Sequence, residues 1–435
     1  MKYRYGKNIS LVFGCGGERD KKKRPLMAKI ANENCKKIYI TDDNPRNENP
    51  RKIRDLLSKS TAKNKTYNIG SRASAINKAI QNATPNETIL IAGKGHENQQ
   101  IYKNKIFNIS DKKIVKNIKI KKISKAKRNY LHNNFLLKKV IGKIKPVNFN
   151  GISIDSRLIK KDNLFVTIKG KKNDGNKFIF DALKKGAGCV ITSSNFGKNN
   201  KKIISVKNSF SFLNHFAKLK RNYSSSKIIA ITGSAGKTSL KELIKDLLKD
   251  FAKTHSSPKS YNNHLGVPIS LSNLSLEDKF GVFEVGMSKA GEIRKLTKLI
   301  KPEIGIITNV GEAHIENFKN INGIAKAKSE IIENIQSGGT IILNRDDKFF
   351  NYFFNKAKKY NLKVSTFGIH KKSNIRIKKI SNYGKTLRIS VNLKAQTLNF
   401  DIKDLNIKNV LASIAVLKAL KLKISEFIKH FFKIF

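Results

Sequence analysis

Short apolar runs alternate with amphipathic stretches in the first part of the chain. NISLVFG (8–14), KKIYIT (36–41) and ETILIAG (87–93) read as buried strands, and PLMAKIANEN (25–34), PRKIRDLLSKS (50–60) and SRASAINKAIQNA (71–83) carry the apolar spacing of helices. Strands separated by helices predict a parallel sheet with crossover connections. The loops after these strands, GCGGERD, TDDNPR and GKGHE, are then expected together at the carboxyl edge of the sheet, where α/β folds bind ligands.

The pattern changes twice further on. Residues 112–128 are Lys-rich without clear periodicity and are expected to form a linker, with room for one last short strand. From about Asn129 a small mixed module follows, with GISIDSR, NLFVTIKG and CVITSS as strand segments and KFIFDALKKGA as a helix. A second α/β unit opens at Lys227 with KIIAIT, and apolar strands recur at FGVFEVG, IGIITNV, GTIILN and KVSTFG. Alternating strands (NIRIKKI, TLRISVNL) and a closing helix, NIKNVLASIAVLKALK, come after Ile375. The expected fold class is multidomain α/β, divided as 1–116, a basic linker 117–128, 129–224 and 225–435.

Composition changes this picture little. Lys+Arg 89 against Asp+Glu 31 gives a formal charge of +58, which by itself suggests a nucleic-acid or anionic-membrane partner. The basic residues are spread over the whole length, mostly as Lys beside Asn and Ile, without aromatic interleaving, so no nucleic-acid partner is expected. Cys15, Cys35 and Cys189 are odd in number and have no CxxC spacing, which indicates neither a disulfide framework nor a zinc site. No apolar run is long enough for a membrane span, no membrane insertion is expected, and the N-terminal apolar run ends too early for a signal peptide; a reducing cytoplasm fits best.

The strongest chemical signal is KIIAITGSAGKTSLKELIKDLLK, a strand, a Gly-containing turn and a helix. Backbone N–H groups of such a turn wrap phosphate oxygens at a helix N-terminus, Lys237 can reach the β- and γ-oxygens, and Thr238 can serve Mg²⁺. The spacing is compact: Ile231 stands where the general phosphate-loop pattern has its first Gly, and Gly233 comes later. Glu284 ends the strand GVFEVG, where a carboxylate can hold the metal or simply close a strand. TNVGEAH brings Asn309 and His314 to the same edge if the sheet is parallel, and Lys328 lies on a helix otherwise readable as a solvated face. In NRDD (344–347), Asn344 and Asp347 can contact adenine and ribose or cap a helix.

In this order, TGSAGKT, YNNHLGVP (261–268), FEVGMS (283–288), ITNVGEAH (307–314), AKAKSEI (325–331) and NRDD resemble the central ATPase domain of the Mur ligases. The nearest resemblance is to members that add D-alanyl-D-alanine to UDP-N-acetylmuramoyl-tripeptide. IDSR (154–157), LFVTIKG (164–170) and DGNKF (174–178) are similar to the UDP-binding module of those enzymes, with Asn176 where the family more often has His. The resemblance implies ATP bound by Thr232, Gly233, Ser234, Ala235, Gly236, Lys237 and Thr238, with Asn309, Asn344 and Asp347 near the nucleotide. It implies Mg²⁺ held by Thr238, Glu284 and His314, and by Lys328 if that lysine is carbamylated. Lys237, His314 and Lys328 would be catalytic, and Asp155, Ser156 and Arg157 would lie near the UDP-sugar. The implied reaction is ATP-dependent amide ligation through an acyl phosphate, in cytoplasmic peptidoglycan precursor synthesis.

GCGGERDKKKRPLM, TDDNPR and AGKGHE resemble a different part of the same family, the C-terminal domain of members that add meso-diaminopimelate to the dipeptide precursor. By that resemblance Arg19, Asp43, Asn44, Pro45, Arg46, Gly93 and Glu97 form an acceptor pocket for meso-diaminopimelate. Arg46 can grip a carboxylate in two places, Glu97 or Asp43 can face an ammonium, and Pro45 stiffens the loop. The expectation is therefore a piece of a bifunctional fusion, running from the last domain of one ligase into the first two of the next, with ATP binding and weak or no ligation. The alternatives are meso-diaminopimelate addition by a chimeric ligase and a basic nucleic-acid-binding ATPase. Folylpolyglutamate synthase shares the ATPase type, but IDSR with LFVTIKG argues against it.

Overall fold

The computed structural model describes residues 9–83, 87–95, 97–118, 125–142, 147, 149–170, 173–195, 200–384, 386–393, 396–403 and 405–424, with side chains from 129 onward in the helix that begins at Lys125. Contacts divide the chain into a unit ending at His132 and a unit beginning at Asn133.

In the first unit, β1 (Ile9–Phe13), β2 (Lys37–Ile40), β3 (Thr66–Asn68) and β4 (Thr88–Ile91) form a four-stranded sheet of order β3-β2-β1-β4, parallel throughout. Successive residues of a strand face opposite sides, so each strand feeds two cores. Phe13, Ile38 and Ile40 meet Ala28, Ala31, Ile53 and Leu57 from the helices Lys23–Asn34 and Pro50–Lys59. Val12 and Tyr39 meet Ala75, Ile76 and Ala79 from the helix Arg72–Gln81 on the other side. The Pro50–Lys59 helix starts as its sequence requires, with Pro at the first turn and the Asn49 side chain accepting from the N–H groups of Arg51 and Lys52. A hairpin of β5 (Gln99–Tyr102) and β6 (Lys105–Asn108) follows, and Arg46 forms an isolated parallel bridge with Tyr102.

The Lys-rich stretch is more ordered than its composition suggests. A helix spans Asp111–Asn117 and another spans Lys125–Ile141, while residues 119–124 of the expected linker lie outside the described residues. Ser110 caps the shorter helix, and Asp111 anchors it by a bidentate pair with the buried Arg72, both hydrogen bonds 2.7 Å. An ion pair between residues so far apart leaves no mark in local periodicity.

The second unit contains a small parallel sheet, β10-β9-β8-β7, built from β7 (Ile152–Ser153), β8 (Leu164–Val166), β9 (Cys189–Thr192) and β10 (Ile203–Ser205). Asn273 ties β7 to the rest of the unit, accepting from Ile152 N at 2.8 Å and donating to Ile152 O at 2.9 Å. The main sheet has nine strands in the order β12-β13-β11-β14-β15-β16-β17-β18-β19. These are β11 (Lys227–Thr232), β12 (Thr254–Ser256), β13 (Phe280–Glu284), β14 (Ile304–Ile307), β15 (Thr340–Asn344), β16 (Lys363–Gly368), β17 (Ile375–Tyr383), β18 (Thr386–Asn392) and β19 (Thr397–Lys403). β12 to β17 pair in parallel with β11 among them, and β17, β18 and β19 form an antiparallel meander.

β13, β11, β14 and β15 are adjacent and parallel, so their carboxyl ends deliver four loops to one edge. The sheet is covered on both faces, on one by the helices Lys237–Lys249 and Ile407–Ala419 and on the other by Glu292–Ile300 and Phe350–Lys359. Burial on both faces explains the uninterrupted apolar runs KIIAIT and IGII.

Candidate functional site

The loop after β11 is shaped by its glycines. Gly233 has φ +155°, and a Cβ there would stand 1.8 Å from Thr308 Oγ1; Gly236 turns the chain into the Lys237–Lys249 helix with φ +78°. The neighbouring loop braces it. Asn309 Oδ1 accepts from Ser234 N at 3.0 Å and Ala235 N at 2.9 Å, Thr308 Oγ1 donates to Ala235 O at 2.8 Å, and Ser234 Oγ donates to Gly311 O at 2.9 Å. Lys237 folds back over the loop, donating to Gly233 O at 2.9 Å and Ser234 O at 3.3 Å.

Thr232, Gly233, Lys237, His314 and Lys328 line one cavity of about 400 Å³, together with Asn262, Asn263, His264 and Lys295. Lys328 is 2% exposed, and burial followed by the nearby charge of Lys237 lowers its pKa to about 7. Burial also lowers that of Lys237, against the pull of Glu284. Lys237 and Lys328 therefore face the same cavity beside the loop.

Glu284 is 1% exposed at the end of β13. Thr238 Oγ1 donates to its Oε2 and Asn262 Nδ2 to its Oε1, both at 2.8 Å. A hydroxyl and a fixed carboxylate beside a phosphate loop are hard oxygen donors, and this donor set fits Mg²⁺. Among the described residues no group of three His, Cys, Asp or Glu side chains could hold a metal by itself. His314, at φ +69°, is half exposed and lies 3.8 Å from Glu316.

Asn344 and Asp347 spend their polar atoms on the protein. Asn344 accepts from Asp346 N at 3.0 Å and donates to Thr308 O at 3.4 Å. Asp347 accepts from Val310 N at 2.8 Å and Phe349 N at 2.9 Å, joining the NRDD loop to TNVGEAH.

A second cavity of about 640 Å³ is lined by Asp155, Ser156 and Arg157 with Phe178, Tyr261 and Asn263. Asn263 lines both cavities, so they adjoin. Asp155 accepts from Arg157 Nε at 2.9 Å and Nη2 at 2.8 Å, and this pairing holds its carboxyl below the usual range. Asn176 accepts from Thr192 Oγ1 at 2.7 Å and donates to Asp174 at 2.7 Å.

In the first unit the three sequence-predicted loops do meet. A Cβ on Gly17 would stand 1.8 Å from Pro45 O, and Gly17 N donates to Asn44 O at 2.8 Å. Arg46, at φ +50°, donates from Nη1 to Gly17 O at 2.6 Å. Asn44 Nδ2 donates to Glu97 Oε2 at 3.1 Å, while Asn44 Oδ1 accepts from Lys94 Nζ at 2.9 Å and Ile101 N at 3.1 Å. Gly93 has φ +116° and abuts Asp43, and Arg19 is exposed; His96 lies outside the described residues.

Sequence reasoning passed over the groups that hold these residues. Lys94 stands inside the quoted GKGHE, and Asn262 inside YNNHLGVP, without an assigned role. Arg24 pairs with Glu48 through two 2.9 Å hydrogen bonds and donates to Gly16 O at 3.0 Å, which pulls the Glu48 carboxyl down to about 2. The available signal was a polar residue on an otherwise apolar helix face.

Three family models match the chain. The Mur ligase glutamate ligase domain matches residues 1–95, the Mur ligase family catalytic domain matches 148–221, and the Mur ligase middle domain matches 231–417. The UDP-N-acetylmuramoyl-tripeptide–D-alanyl-D-alanine ligase of Rickettsia prowazekii is 37% identical over 233 residues, 53% of this chain and 52% of that protein. The chain spans about half the length of the curated relatives it matches. A crystal structure of MurF from Acinetobacter baumannii aligns at 25% identity and TM-score 0.62 over 68% of this chain and 67% of its own. The Thermotoga maritima MurF ligase in complex with ADP aligns at 26% identity and TM-score 0.56 over 64% of this chain and 65% of its own.

Proposed function

From the premise that this chain carries domains of the Mur ligase family, we propose that its second unit binds ATP and UDP-N-acetylmuramoyl-tripeptide and activates the peptide for ligation to D-alanyl-D-alanine. The observation that carries the reading is the pair of adjoining cavities sharing Asn263, one at the phosphate loop and one at Asp155, Ser156 and Arg157. The likeness to MurF with ADP bound and to the D-alanyl-D-alanine ligases supports the choice of substrates.

In this reading Lys237 leaves its loop carbonyls and takes a γ-phosphate oxygen. Thr238 and Glu284 would hold Mg²⁺, which would supply positive charge to offset the phosphates. The peptide carboxylate attacks the γ-phosphorus, the bond to ADP breaks, and the resulting acyl phosphate yields to an amine with release of phosphate. Lys328, whose pKa lies at about 7, could add as the free amine to CO₂ and release a proton, giving a carbamate whose oxygens would be available to that metal. Asn309 keeps the phosphate loop in shape from behind, and Asn344 and Asp347 keep the adjacent loops in register.

The first unit is read as an acceptor domain for meso-diaminopimelate, so that the chain joins parts of two consecutive ligases. Phosphate release with ATP, tripeptide precursor and D-alanyl-D-alanine tests the first reading; release that is indifferent to the precursor overturns it. Binding of meso-diaminopimelate to the full chain tests the second.

A further inference from the structure

The helix Lys237–Lys249 carries Lys237 and Thr238 in its first turn and, one turn on, the fully buried ammonium of Lys241. Positions three apart share a helix face, so Lys241 lies on the side where Thr238 meets Glu284. Its Nζ donates to Ser257 O at 2.8 Å and to Lys259 O, and it lies 3.1 Å from Glu242 Oε1. Burying an ammonium is costly unless its donors are matched, and here both carbonyls that match them belong to one loop.

That loop runs from the end of β12 to the helix Gly266–Ser272 and contributes to both adjoining cavities. Ser260 and Tyr261 line the one at Asp155, Asn262 and His264 line the one at the phosphate loop, and Asn263 lines both. Lys259 turns the loop with φ +43°, a conformation uncommon for a residue with a side chain, and its carbonyl is the one that Lys241 holds. Ser257 joins this clamp to β13, since its Oγ accepts from Glu284 N at 3.2 Å while its carbonyl accepts from Lys241. Past the turn, Asn262 Nδ2 donates to Glu284 Oε1 at 2.8 Å, and the Asn262 carbonyl accepts from Gly286 N at 2.8 Å. One oxygen of Glu284 is oriented by Thr238 from the helix and the other by Asn262 from the loop, and Lys241 ties the loop to the helix.

We propose that Lys241 is a positioning residue of the nucleotide site: by clamping the base of this loop to the phosphate-loop helix it places Asn262 so that the Glu284 carboxylate is held ready for the divalent cation that accompanies ATP. Lys241 itself lines neither cavity. The proposal rests on the reading of the second unit as a domain that binds ATP with Mg²⁺. An apolar side chain would fill the same space, but it would leave the two carbonyls unpaired and the loop untied from the helix.

Calorimetric titration of the full chain with ATP, once with Mg²⁺ and once with EDTA in its place, tests it. The wild-type chain is expected to bind ATP more tightly with Mg²⁺. In Lys241→Met that gain should fall about tenfold, the usual worth of a partner that orients a metal ligand, while affinity in EDTA stays within about twofold. Lys241→Gln, shorter and uncharged, should show part of the same loss and serves if Lys241→Met folds poorly. Asn262→Ala should lose the gain likewise, and adding Lys241→Met to it should cost little more. A gain left intact in whichever Lys241 variant folds, an equal loss with and without Mg²⁺, or losses that add in the double variant would each overturn the role of Lys241 alone. No ATP binding by the wild-type chain, or binding that Mg²⁺ leaves unchanged, overturns the reading of the site and this proposal with it.

Discussion

Gly233 shows how little room one atom has at the phosphate loop. With φ +155° and Thr308 Oγ1 1.8 Å from a would-be Cβ, Gly233→Ala must displace the loop. We expect a loss of roughly 2 kcal/mol or more in stability, read by denaturant unfolding, together with loss of ATP binding. Lys237→Met should weaken ATP binding at least about tenfold in an equilibrium titration, since it removes a charge-assisted contact to phosphate. His255 offers a pH test away from the site. Burial lowers its pKa to about 4 from an ordinary 6.5, and its ring meets Ser270 Oγ at 3.2 Å. Between those values the unfolded chain binds a proton that the folded chain refuses, so stability is full above pH 6.5 and is lost as pH falls toward 4. His255→Gln should flatten that part of the melting-temperature profile; an unchanged acid limb would count against the buried neutral imidazole.

At the scale of elements, the phosphate loop is held by its neighbour. Asn309→Ala removes the side-chain acceptor of Ala235 N and one of the two acceptors of Ser234 N, which keeps the Asn309 carbonyl, and a cost of about 1 kcal/mol is expected. Hydrogen exchange should quicken most at Ala235 while the core of β11 stays protected. The segment TGSAGKT announced its turn and helix, and GVFEVG announced a strand ending in a carboxylate. What local pattern did not carry was the bracing of one loop by the next, because Asn309 is remote from Ser234 in the chain. The same holds for the basic stretch after Ser110, whose helix depends on the pairing of Asp111 with Arg72.

At the scale of the whole molecule, each unit has its own sheets and its own apolar cores. Calorimetry of the full chain should therefore resolve two unfolding transitions, with ATP raising only the one that belongs to the second unit. A single transition shifted as a whole by ATP would refute independent units. No helix among the described residues is long and apolar enough to cross a membrane.

The sequence by itself determined the alternation of strands and helices, the phosphate loop, and the loops that gather at two sheet edges, because these follow from local spacing and from parallel topology. Its motifs also carried the resemblance to the Mur ligases. Tertiary structure decided what the named residues do with their atoms: that Asn344 and Asp347 accept from backbone N–H groups, that Thr238 and Asn262 hold Glu284 from two sides, and that Lys94 donates to Asn44. Those outcomes depend on burial and on partners far apart along the chain, and neither is written in the spacing of residues.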